Sequence, residues 1–102
     1  MQNYKIKFRK LVHLDIKSYT KFYYDKSFDL NLSEQIAKNI YNCIDELCKY
    51  AKLYRVIKKV GNYEIRRAIC GDFVIPYIIN EKTMIVTVLR VFHGKMNYIK
   101  SV

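Results

Sequence analysis

A chain of 102 residues with 51% hydrophobic side chains and a net charge of +10 has enough apolar content to fold around a core, which excludes a disordered segment and points to one domain, 1–102. Its three cysteines show no repeated Cys-x-x-Cys spacing, which excludes a zinc site and leaves buried free thiols of a reducing compartment as the expectation. Met84 to Val91, the longest apolar stretch, is too short to span a bilayer and is interrupted by Thr87 and Arg90, so a cytoplasmic protein with no membrane segment is expected.

In chain order, Tyr4-Lys-Ile-Lys-Phe8 alternates apolar and basic residues, as a half-buried strand does, and puts Lys5, Lys7 and Arg9 in one cationic row. From Lys10 to about Asp25, Leu11, Leu14 or Asp15, Tyr19 and Phe22 recur near helical spacing and predict a helix. Asp25 to Asn31 is a polar break, with Asp25 and Asp29 as turn residues. Asn31 and Glu34 form a helix-capping pair ahead of Leu32, Ile36, Ile40, Ile44 and Leu47. The short connection predicts an antiparallel helical hairpin. Cys43 and Cys48, five apart on the second helix, do not share a face.

Leu53 to Asn62 reads as a basic connector ending in a Gly61-Asn62 turn. Three strands follow, Tyr63–Cys70, Phe73–Asn80 and Met84–Phe92, with Gly71-Asp72 as a tight hairpin turn. Met84 to Val91 is apolar on both faces and is expected to be the central strand. Pro76 requires either a free strand side or a bulge, because proline removes a ladder hydrogen bond. The predicted class is therefore α+β, in the order β-α-α-β-β-β, with the helical hairpin on a small antiparallel sheet.

Charge is uneven: residues 1–52 carry 10 basic and 6 acidic side chains, and residues 53–102 carry 9 and 3. That excess suits a polyanionic partner, whether nucleic acid, a membrane surface or an acidic protein, and it also fits simple lysine enrichment by genome composition. Arg66 and Arg67 are adjacent on a strand and point to opposite faces. Arg90 interrupts an apolar strand and needs a carboxylate or a cleft; His93, Lys95 and Tyr98 gather beyond it. Cations that hold phosphate beside a histidine or tyrosine that moves protons make the composition of an RNA-cleaving or phosphate-binding pocket. The plainer reading is a solvated rim with Arg90 paired to an acid such as Glu64. The Asp15-Ile16-x-x-Tyr19-x-x-Phe22 spacing reads as helix packing, with an exposed aromatic patch of Tyr23, Tyr24 and Phe28 for a protein partner as the alternative.

Taken together and in order, Ile65-Arg-Arg-Ala-Ile-Cys-Gly-Asp-Phe-Val-Ile-Pro-Tyr77, Val88-Leu-Arg-Val-Phe-His-Gly94 and Asp15-Ile16 before Tyr19 resemble the RelE/ParE superfamily of small toxins from type II toxin–antitoxin systems. The resemblance covers nearly the whole chain. It implies a cognate antitoxin that wraps the toxin and DNA reached only through that antitoxin; no cofactor is expected, since no phosphate-binding glycine loop occurs, and no metal, since His13 and His93 are too isolated to make a metal centre. Ribosome-dependent nucleases of the RelE branch commonly carry an arginine after the first aromatic of the penultimate strand. Here Val74 follows Phe73, which is similar to the ParE branch, whose members inhibit DNA gyrase without an established active site. Arg66, Arg67, Arg90, His93 and Lys95 are then expected to bind target or phosphate. On the alternative, a ribosome-associated mRNA endonuclease, Arg66 or Arg67, Arg90 and Lys95 hold phosphate and His93 or Tyr98 is the acid or base. A third reading is a family member that binds its antitoxin without poisoning anything.

Overall fold

The computed structural model describes residues 3–94. Along them run β1 (Lys5–Phe8), α1 (Lys10–Ser27), α2 (Leu30–Tyr50), one 3-10 turn (Ala51–Leu53), β2 (Val56–Val60), β3 (Tyr63–Cys70), β4 (Phe73–Asn80), β5 (Ile85–Val88) and β6 (Phe92–His93). The strands lie in the order β1-β5-β4-β3-β2, with β6 pairing β4 beyond the end of β5. The α+β class and the order of its elements follow the sequence reading, with two additions. β1 pairs β5 in parallel, so the sheet is mixed. Val56–Val60, expected within a basic connector, is an edge strand antiparallel to β3. Its register shifts between Val56 and Lys58, and that irregularity breaks the alternation by which a strand is recognised.

The two helices cover one face of the sheet. Ile40, Ile44 and Leu47 of α2, one to two turns apart, are buried with Ala68, Ile75, Tyr77, Val86 and Val88 of the strands. Each such aliphatic side chain contributes about 1.5–3 kcal/mol by leaving water. On α1 the buried line is Val12 and Ile16, continued by Tyr19 and Tyr23. Leu11, Leu14 and Phe22 are instead 48%, 57% and 54% exposed. The expected period is present but turned by about one residue, or 100° of helix. The cap of α2 also moves: Asp29, not Asn31, accepts the Leu32 N–H at 3.1 Å. Phe28 closes α1 with φ 54° and donates its N–H to the Tyr24 carbonyl at 2.7 Å, a left-handed position where glycine is the usual residue.

The central strand is β4, not the Met84–Val91 run; regular pairing of β5 stops at Val88. Pro76 explains the stop. Its carbonyl accepts the Leu89 N–H at 2.9 Å, so its nitrogen faces the same neighbour. With no N–H to offer there, the ladder lapses over Leu89–Val91 and resumes at β6.

The cysteine expectation is corrected. Cys43 of α2 and Cys70 at the end of β3 form a disulfide, with Cα atoms 6.1 Å apart, and only Cys48 is free. Spacing along the chain carries no information about a bridge between layers, and α2 happens to cross the end of β3 at Cys43. The Tyr77 hydroxyl, buried beneath the helices, donates to the Ala51 carbonyl, and burial pushes its phenol pKa up. Among the described residues, no helix is long and apolar enough to cross a membrane.

Candidate functional site

Where β5 gives way to β6, α1 takes over the work of a neighbouring strand. Asp15 and Tyr19 are one helical turn apart, about 6 Å along the axis. Val91 and His93 are two strand residues apart, about 6.6 Å. The two repeats nearly match. The Asp15 carboxylate accepts the Val91 N–H at 3.0 Å, and the Tyr19 hydroxyl accepts the His93 N–H at 3.0 Å. Backbone donors left without a ladder partner are thereby satisfied by side chains.

The same carboxylate takes Arg90 in bidentate fashion, Nε at 2.7 Å and Nη2 at 2.9 Å. These side chains are 31% and 13% exposed for Arg90 and Asp15, so the pair is largely withdrawn from water. The Arg90 pKa rises further because its charged form is held by that hydrogen bond. Its guanidinium also lies 5.0 Å from the Phe92 ring centre. Arg90 thus has the carboxylate partner that its apolar setting demanded, but the partner is Asp15 rather than Glu64. Arg90 alone in an apolar run was the available signal, and the reading of Asp15 as mere packing missed its partner.

The remaining predicted cations separate. Arg66 donates to the Tyr54 carbonyl at 2.6 Å and to the Lys52 carbonyl at 3.4 Å, fastening the segment before β2. Arg67, on the opposite face of β3, shares a hollow of about 280 Å3 with Asp72, Val74, His93 and Gly94. His93 also borders a cavity of about 370 Å3 with Ser18, Tyr19, Phe22 and Tyr23, and its ring centre lies 5.8 Å from that of Phe73. Lys95 and Tyr98 lie outside the described residues. Of the expected cluster, the structure therefore brings together Arg67 and His93, and commits Arg66 and Arg90 elsewhere. Val74 is 4% exposed and paired with Phe92. Among the described residues, no group of His, Cys, Asp and Glu side chains could hold a metal ion.

A second polar cluster sits at the far end of the sheet. Glu81 accepts from the Tyr4 hydroxyl at 2.9 Å and pairs with Lys52 at 3.1 Å. The Lys52 hydrogen bond lowers the Glu81 pKa, burial opposes it, and the Tyr4 hydrogen bond adds to the lowering.

The sequence profile of the family described as "ParE toxin of type II toxin-antitoxin system, parDE" matches residues 6–98. By sequence, no curated protein matches the chain. Among solved structures, a chain of the chromosomal ParDE toxin–antitoxin system from P. aeruginosa superposes with a TM-score of 0.74 at 13% identity, covering 90% of this chain and 97% of that one. The toxin–antitoxin complex RelBE2 from Mycobacterium tuberculosis gives 0.63 at 17% identity, covering 91% and 93%. An archaeal RelE–RelB complex from Pyrococcus horikoshii gives 0.56 at 17% identity, covering 92% and 98%. At these identities the likeness is one of fold.

Proposed function

From the premise that this chain belongs to the ParE toxin family of type II toxin–antitoxin systems, we propose that it acts as a toxin by binding DNA gyrase and arresting replication, and that a cognate antitoxin neutralises it. The observation that carries the reading is the Asp15–Arg90 clamp. Phosphoryl-transfer chemistry needs a cation aimed at developing charge, and here Arg90, between β5 and β6, is spent on the Asp15 carboxylate. With Arg66 also tied to carbonyls, the described residues support a binding surface better than an assembled active site. Partners in the ParDE, RelBE2 and RelE–RelB complexes support an antitoxin for this chain too.

Purified gyrase provides the test. Supercoiling is expected to fall as the protein is added and to recover with the antitoxin. A gyrase that neither binds the protein nor slows in its presence removes this reading.

One feature favours a second reading, the ribosome-dependent mRNA endonuclease. Arg67 and His93 border one open hollow, which would place a cation beside a proton carrier. That reading expects cleaved transcripts in a translating extract and their disappearance in His93→Ala. Intact transcripts in cells arrested by the protein count decisively against it.

A further inference from the structure

The sheet has a second face, turned away from the helices, that the clamp does not touch. Ile6 and Phe8 pack on the helical side, so alternation sends Lys5, Lys7 and Arg9 to the other. Arg9 accordingly borders a hollow of about 320 Å3 with Tyr63, Ile65, Ile78 and Leu89. Ala68 and Cys70 of β3 face the helices, so Ile65, Arg67 and Ile69 face away.

The strands carry no carboxylate on this face; Asp72 borders it from the β3–β4 turn, lining the hollow with Arg67. Six of the nine acidic residues lie between Asp15 and Glu46, on the helices and their connection. Glu64 alternates with Ile65 to the opposite side of β3, Asp72 sits in the β3–β4 turn, and Glu81 is in the β4–β5 turn bonded to Tyr4. Lys5, Lys7, Arg9 and Arg67 make no ion pair among the described residues. The chain thus segregates its charge, leaving four unpaired cations around an aliphatic strip.

We propose that this face binds duplex DNA directly, with Lys5, Lys7, Arg9 and Arg67 on backbone phosphates. β1 and β3 are separated by β5 and β4, three strand spacings or about 14 Å. The row from Lys5 to Arg9 runs about 13 Å along its strand. A cationic row and the single Arg67 at that strand separation match phosphates on either side of a major groove about 12 Å wide. A single strand is the poorer fit. Its recognition uses aromatic faces on which bases stack, whereas Ile65, Ile78 and Leu89 fill the centre and Tyr63 stands at one end. Direct contact departs from the family expectation that DNA is reached only through the antitoxin.

The test is fluorescence anisotropy of the full chain with a labelled duplex of about 20 base pairs over a range of salt, where each phosphate contact adds about 0.9 to the log–log salt slope. Lys5→Ala/Lys7→Ala/Arg9→Ala is expected to weaken binding by at least roughly tenfold and to lower the slope by about 0.9 per cation removed. Arg67→Ala alone lowers it by about 0.9. Lys17→Ala/Lys21→Ala/Lys38→Ala removes the same charge from the exposed helical surface and is expected to weaken binding less than about twofold. Far-UV circular dichroism checks that every variant folds. Equal losses in the two triple variants would reduce the interaction to bulk charge and overturn the proposal. So would no binding at low salt, or tighter binding through the same residues to single-stranded RNA, to phosphatidylserine vesicles or to an acidic polypeptide. No gyrase is present in this assay, so its outcome is separate from that of the supercoiling test.

Discussion

The two faces of one sheet treat their charged and polar residues in opposite ways. On the helical side every long-range polar device is a fastening: Cys70 to Cys43, Arg90 and the Val91 N–H to Asp15, Tyr77 to Ala51. On the outer side Lys5, Lys7, Arg9 and Arg67 are fastened to nothing among the described residues. Positive charge in a small basic protein is therefore not a single property. A guanidinium bound to a part-buried carboxylate is part of the architecture, and an ammonium standing on an open face is available to a partner.

The largest effect that would sharpen this contrast is on the bridge. Replacing Cys43 and Cys70 together by serine should lower unfolding free energy by about 2–4 kcal/mol, since the bridge restricts a 27-residue separation in the unfolded chain. Urea denaturation with and without reductant measures it, and a wild-type midpoint indifferent to reductant would show the bridge to be idle.

Next comes the clamp. Asp15→Ala strands Arg90 and the Val91 N–H in a setting mostly withdrawn from water, a loss of about 2–3 kcal/mol. Lys5→Ala/Lys7→Ala/Arg9→Ala should move stability by no more than about 0.5 kcal/mol, as exposed unpaired positions do. If the triple variant proved as damaging as Asp15→Ala, the distinction between the faces would fail.

The smallest effect is on pH. Glu81 has its folded pKa lowered, chiefly by the Lys52 hydrogen bond. Its contribution to stability is therefore present above the ordinary glutamate value and is lost as pH falls through the lowered folded value. A denaturation midpoint followed from pH 7 to about pH 3 should decline through that window, and less steeply in Glu81→Gln. Equal slopes in the two proteins would dismiss the pair as a pH-sensitive contact.

The sequence showed what is periodic and hid what is relational. Alternation in Tyr4–Phe8 revealed β1 and its cationic row, and the 3.6-residue recurrence of Ile36, Ile40, Ile44 and Leu47 revealed α2. On α1 two adjacent apolar lines competed, and period alone could not tell Leu11–Leu14 from Val12–Ile16; contact with the sheet decided. Arg90 advertised the need for a partner, but Asp15 is 75 residues away and only the fold joins them. Cys43 and Cys70 were equally silent. Of the candidate site, the residue types were legible in advance. Which of them the architecture would consume was not, because that depends on the lapse in the ladder beside Pro76.

The bridge between Cys43 and Cys70 has one more consequence. It encloses the exposed Gly61-Asn62 turn within a covalent ring, and exposed turn tips are where proteases nick. A cut at that turn severs the main chain yet releases nothing. The helices and the last strands stay on one molecule, joined through sulfur, and travel as intact protein on a gel until a thiol parts them.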